Sequence, residues 1–144
     1  MIFWDASAIV PLCLREPATV MVKSILSRDP SVAAWWGTPV ECRSAFARLR
    51  REGVFTAAAE RKVVSLLDRL AAEWTEVLPG NRVRDHAGRL LLRHPLQAAD
   101  SLQLAAALLW ADGNPGEREF VCLDRRLREA ALQEGFRVVP ETLA

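Results

Sequence analysis

The chain has 144 residues, 51% hydrophobic and 26% charged, with a formal net charge of +1. That length fits a single domain over residues 1–144, which would bury roughly two-thirds of the surface its unfolded form exposes. Near-neutral charge excludes a chain that is basic throughout, so a nucleic-acid-binding surface would have to be local. No apolar run approaches the ~18 residues of a membrane span.

The apolar start, Met1-Ile2-Phe3-Trp4, has no basic segment before it and runs directly into Asp5. It therefore reads as a core strand and not as a signal peptide. Ala6 to Val10 opens a helix, and Val32–Trp36 forms the next strand-like run. Thr38-Pro39-Val40-Glu41 supplies a cap, a proline at the first helical position and a capping-box acid, and Gly53 ends that helix. Thr56 caps a helix reaching about Trp74, and a short strand surrounds Val77-Leu78. Pro79-Gly80 precedes a helix through His86 to Arg93, and a second helix runs from Asp100 to Ala111 after the break at Pro95. Asp112 to Gly116 is a surface loop. Phe120–Leu123 is a strand, Gly135 stops the last helix, and Arg137–Val139 closes the chain as a final strand. Strands separated by helices cannot form hairpins, so the expected fold class is α/β, a three-layer α/β/α sandwich around a mostly parallel sheet.

Cys13, Cys42 and Cys122 are odd in number, far apart and set in apolar sequence, which points to buried free thiols and a cytoplasmic protein. His86 and His94 read as surface or helix-end residues, and Trp4, Trp35 and Trp74 as core. Trp36 and Trp110 are candidates for an exposed apolar patch at an interface.

Four acids stand at strand-to-helix junctions: Asp5, Glu41, Asp100 and Asp124. Taken singly, each can serve as a helix cap or a first-turn acid that complements the dipole. As a set they are more informative, because strand C-termini and following helix N-termini of a parallel sheet share one edge. Two carboxylates ~4 Å apart repel by roughly 4 kcal/mol at an effective dielectric of about 20, so a convergent cluster must protonate or hold a cation. All-oxygen donors suit Mg²⁺ or Mn²⁺ better than zinc.

The segments FWDASAIV, TPVECRSAFARLRREG, LQAADSLQLAAAL and FVCLDRRLREAALQEGFRVV carry these acids in order, and together they resemble the PIN-domain family, in particular the VapC-like toxins of toxin–antitoxin pairs. The resemblance spans nearly the whole chain and implies a PIN-like fold and a Mg²⁺- or Mn²⁺-dependent endoribonuclease that hydrolyses RNA with a metal-activated water. It matches Asp5, Glu41, Asp100 and Asp124 to the family's acidic quartet, as metal ligands and catalytic residues, and Ser7 to its motif hydroxyl. A homodimer and a cognate antitoxin are implied as partners beside the RNA substrate, and no membrane. Gln103 departs from the family pattern, which often has His there, and Cys122 stands where Thr or Ser often precedes the last acid. Arg43, Arg125 and Arg126 are candidate phosphate contacts, whereas Arg48, Arg50, Arg51 and Arg128 read as a solvated helix face. Ser7 would orient a ligand or water, or cap the first helix.

Two other readings compete. A phosphotransfer enzyme with an Asp nucleophile would want a second Asp two residues after Asp5, where Ser7 stands. A non-catalytic α/β binding module would keep the four acids only as caps.

Overall fold

The computed structural model describes residues 1–143. Strands β1 (Ile2–Trp4), β2 (Val32–Trp35), β3 (Thr75–Val77), β4 (Glu119–Val121) and β5 (Arg137–Val139) form one sheet in the order β3-β2-β1-β4-β5. Every pairing is parallel. Helices α1 (Ala6–Cys13), α2 (Thr19–Arg28), α3 (Thr38–Arg51), α4 (Ala57–Glu73), α5 (Asn81–Arg93), α6 (Ala98–Trp110) and α7 (Arg125–Gln133) fill the connections. The α/β fold expected from the alternation of elements is the one observed.

Alternation along each strand divides the core into two layers. In β1, Ile2 and Trp4 join the layer under α1 to α4, while Phe3 joins the layer under α5 to α7. The same split holds in β2, where Ala33 and Trp35 face one side and Ala34 the other. Side chains of successive strand residues point to opposite faces, so three residues with no polar member can only be accommodated where both faces are covered. Phe3 stacks on Phe120 with ring centroids 5.5 Å apart, and Phe120 in turn meets Phe136 at 5.6 Å. Offset aromatic contacts of this kind add about 0.5–1.5 kcal/mol each beyond simple burial. Trp4, Trp35 and Trp74 are buried, and so are all three cysteines, which remain unpaired.

The chain winds outward from β1 through β2 to β3, crosses back, and continues through β4 to β5 on the other side. β1 therefore lies at the point where the winding changes direction, the place where a crevice opens at the carboxyl edge of a doubly wound sheet. Asp5 is the first residue past β1.

Three local expectations are corrected. Thr38 is not a cap: Gly37 takes the N-cap position of α3 with no side-chain bond, and the Thr38 hydroxyl is buried and engaged elsewhere. Gly37 itself is required by close packing, since a Cβ there would lie 2.5 Å from the indole Nε1 of Trp35. Arg128 is not part of a solvated face; it is buried and donates from Nη1 to the Cys122 carbonyl at 2.8 Å and from Nη2 to the Glu141 carbonyl at 3.1 Å. His94 does cap the end of α5, but it is buried, with Nε2 2.6 Å from Glu134 Oε2.

Trp36 and Trp110 do not form one patch. Trp36 is 53% exposed at the carboxyl end of β2, whereas Trp110 ends α6, packs against Phe3 and lies under the Arg118 guanidinium.

Candidate active site

Asp5 is held by the neighbouring strand β4 and by its own helix. Its backbone N–H donates to the Val121 carbonyl at 2.9 Å, which ties the end of β1 to β4. Its side chain caps α1 by accepting from the Ser7 N–H at 3.0 Å through Oδ2. Ser7 is therefore not the cap of that helix. Its hydroxyl oxygen accepts from the Leu123 N–H at 2.9 Å and lies 3.7 Å from Cys122 Sγ, fastening α1 to the segment that leads into Asp124. Cys122 Sγ lies 3.6 Å from Asp5 Oδ2 and 3.5 Å from the Asp124 carbonyl, so the thiol fills a gap between two of the acids. Burial pushes that thiol far above the ordinary cysteine range, and the charge on Asp5 adds to the shift. Cys122 is a neutral packing group here.

Asp5 Oδ1 is the informative atom. It is buried and has no hydrogen-bond partner. An unpaired carboxylate oxygen inside a protein costs several kcal/mol unless a proton or cation compensates it. Burial raises the pKa of Asp5, against the opposing effect of its bonds from Ser7, Cys122 and Ala6.

Glu41 reaches the same region from the first turn of α3. Burial, reinforced by the nearby charges of Asp5 and Asp100, pushes its pKa up to about 7. The Gln103 amide works in the opposite direction, donating from Nε2 to Glu41 Oε1 at 3.0 Å. The same Nε2 donates to Thr38 Oγ1 at 2.9 Å, so one buried amide spans α6 and α3. Gln103 thus fixes one oxygen of Glu41. The residue types alone do not reveal this, because Thr38 and Gln103 are 65 positions apart.

Asp100 sits in the first turn of α6. Burial, followed by the charges of Asp124 and Asp5, lifts its pKa to about 6. Asp124 caps α7 by accepting from the Leu127 N–H at 3.0 Å and is exposed at the rim. Asp5, Glu41 and Asp100 therefore feel one another's charge, and Asp124 joins through Asp100. Among the described residues, no group of three or more His, Cys, Asp or Glu side chains is gathered closely enough to hold a metal ion directly. The donor set nevertheless fits a hard divalent cation held partly through water, since Mg²⁺ dehydrates reluctantly and takes only one or two carboxylates directly. The orphaned Asp5 oxygen is where such a cation would be needed.

The candidate phosphate contacts divide. Arg125 and Arg126 are exposed in the first turn of α7, directly after Asp124. Arg43 lines the cleft between α3 and α4 together with Val40, Ala47 and Val64, on a different face of α3 from Glu41.

No family model matches the chain. Two curated relatives do: ribonuclease VapC45 and ribonuclease VapC49, from two strains of Mycobacterium tuberculosis. Each is 30% identical over 152 aligned positions, covering 99% of this chain and 97% of the relative. Among solved structures, VapC20 of Mycobacterium tuberculosis, a sarcin-ricin loop cleaving toxin, superposes with a TM-score of 0.66 at 17% identity, over 90% of this chain and 95% of that one. FitAcB from Neisseria gonorrhoeae gives 0.64 at 17% identity, over 96% of each chain. The structural likeness carries the fold, and the end-to-end sequence relationship carries the kinship: the chain belongs to the VapC family of PIN-domain ribonucleases.

Proposed function

We propose that this chain is a Mg²⁺- or Mn²⁺-dependent endoribonuclease and the toxin of a toxin–antitoxin pair. The observation that carries the chemistry is the unpaired, buried Asp5 Oδ1 beside two acids whose ionisation is suppressed. The substrate class is supported by the two ribonucleases to which the chain is related end to end. Asp5 and Asp100 are the leading direct ligands, and Glu41 and Asp124 complete the site directly or through water. A bound divalent cation supplies a water of lowered pKa and neutralises charge gathering on the phosphate. Ser7 orients the segment before Asp124 through its bond from Leu123, and Gln103 holds Glu41 in register. Neither residue reacts. Cognate antitoxin and a second copy of the chain are the expected protein partners, and three buried free thiols suit a reducing cytoplasm.

The direct experiment is sequencing of RNA ends produced by the purified protein with Mn²⁺, beside an EDTA control and an Asp100→Asn variant. Defined ends that vanish in both controls are the expected result. Undiminished cutting by Asp100→Asn in the presence of EDTA would exclude the assignment.

The binding-module reading draws on one fact, that Asp5 and Asp124 do cap helices. It gives no role to the suppressed ionisation of Glu41 and Asp100, which cap nothing. Gln103 offers a finer test. Replacing it with Leu removes the bond that favours charged Glu41 and should slow cleavage by roughly 10-fold, the scale of an outer partner's contribution to a metal site. The acidic limb of the pH–rate profile should also move upward, because the lost bond lowers the Glu41 pKa. A slower enzyme with an unmoved profile would make Gln103 a packing residue only.

A further inference from the structure

Helix α5 buries Val83, Ala87 and Leu90 and turns a different stripe outward. Arg82, His86, Arg89 and Arg93 follow one another at offsets of four, seven and eleven, the spacing that keeps side chains on one helical face. Arg82, Arg89 and Arg93 are exposed and His86 is half-buried. The helix carries four arginines against one aspartate, whereas the whole chain nets only +1. The arginines of α3 are as numerous, but positions 43, 48, 50 and 51 do not share a face, and Arg50 is paired with Glu60.

Arg82, His86 and Arg93 line one recess with Leu108, Asp112 and Glu134. Glu134 is already occupied there by Arg93 at 3.3 Å and His94 at 2.6 Å. Arg82 and Arg89 have no acidic partner among the described residues. Burial, followed by the charges of Arg89, Arg82 and Arg93 and against that of Asp85, holds His86 below the usual imidazole range. A polyanion would relieve that repulsion. α5 begins beside the acid edge, where Asn81 and Arg84 share a cleft with Trp35 and Leu102, whereas the recess that holds Arg82 and Arg93 is lined by Asp112 and Glu134 past the C-terminal ends of α6 and α7, so this face leads away from the acids.

We propose that the outer face of α5 binds the phosphate backbone of substrate RNA, with Arg82 and Arg89 as the contacts and His86 between them. This rests on the ribonuclease reading above and adds a surface to it. Planar guanidinium forks suit phosphate oxygens, and the attraction weakens with salt as counterions are released.

The test is binding of a fluorescently labelled, cleavage-resistant, ribose-methylated single-stranded RNA in EDTA, followed by anisotropy between ~50 and ~200 mM salt. The double variant R82Q/R89Q should reduce the slope of log affinity against log salt by about 1.4, two contacts of ~0.7 each on a single strand. The variant K62Q/R69Q on α4 removes the same charge from another exposed surface and should leave the slope unchanged. The His86 ring, followed by NMR in the wild type, should titrate at higher pH once RNA is added. Equal slopes for R82Q/R89Q and wild type, or an equal drop in the α4 variant, would overturn the proposal. If those slopes are equal while the wild type still cuts RNA with Mn²⁺, only the α5 surface fails; a wild type that neither binds nor cuts RNA removes the ribonuclease reading as well.

Discussion

Asp5→Asn is expected to reduce RNA cleavage by at least ~10³-fold, about 4 kcal/mol of lost transition-state stabilisation, while leaving the protein folded. The substitution is nearly isosteric, and Asn is as good an N-cap as Asp, so the bond from the Ser7 N–H survives. What disappears is negative charge at a buried oxygen that no hydrogen-bond donor in the protein satisfies. The same change relieves Glu41 and Asp100 of a neighbouring like charge, so the metal-free variant should melt at the same temperature as the wild type or slightly above it. Cleavage assays with Mn²⁺ and thermal melting in EDTA measure the two effects separately. Full cleavage by the variant would remove Asp5 from the reaction, and a large fall in Tm would make its carboxylate structural.

Much of this arrangement is legible in the residues because it is local. Three apolar residues in a row followed by an acid, as in Ile2-Phe3-Trp4-Asp5, can hardly be anything but a doubly covered strand handing over to a cap. Thr56 before Ala57 and Gly135 after α7 mark helix ends by local chemistry, and both are found there, Thr56 accepting from the Ala59 N–H and Gly135 at a φ of +107°. The failures all involve distant partners. Thr38 has every local mark of a cap, yet an amide on α6 reaches its hydroxyl, and a buried tertiary bond outweighs a solvent-exposed cap worth about 1 kcal/mol. Arg128 belongs to a basic run that reads as solvated, but the Cys122 carbonyl just past β4 and a carbonyl of the C-terminal segment converge on it. His94 finds Glu134, 40 positions away. The sheet order is likewise invisible locally, since parallel pairing of β1 with both β2 and β4 depends on crossovers and not on hairpin turns. For the site, the four acids are readable as a set, but which of them is deeply buried is not. That Asp5 lies innermost and Asp124 at the rim follows from β1 occupying the centre of the sheet.

That gradient of burial leads to an unusual dependence of stability on pH in the metal-free protein. Glu41 titrates near 7 instead of 4.5, and Asp100 near 6 instead of 3.8. Both folded-state values are raised, so between the unfolded and folded pKa the native state binds more protons than the unfolded chain. Their contribution is fully present below about pH 4 and is lost as pH rises through the folded values, up to about pH 7. In EDTA, Tm should therefore fall by several degrees between about pH 5 and about pH 8, on the order of 1–2 kcal/mol once solvent screening of these partly exposed groups is allowed for. A divalent cation should reverse the trend, because it competes with protons for the same oxygens. Mn²⁺ at ~100 times its Kd should restore ~2.7 kcal/mol at about pH 8 and far less at about pH 5. Asp5→Asn should flatten both responses, since it removes a charge that raises the other two. Melting curves that are independent of pH in EDTA and indifferent to Mn²⁺ at about pH 8 would mean that the carboxylates do not form one electrostatic unit, and the metal-dependent mechanism would go with it.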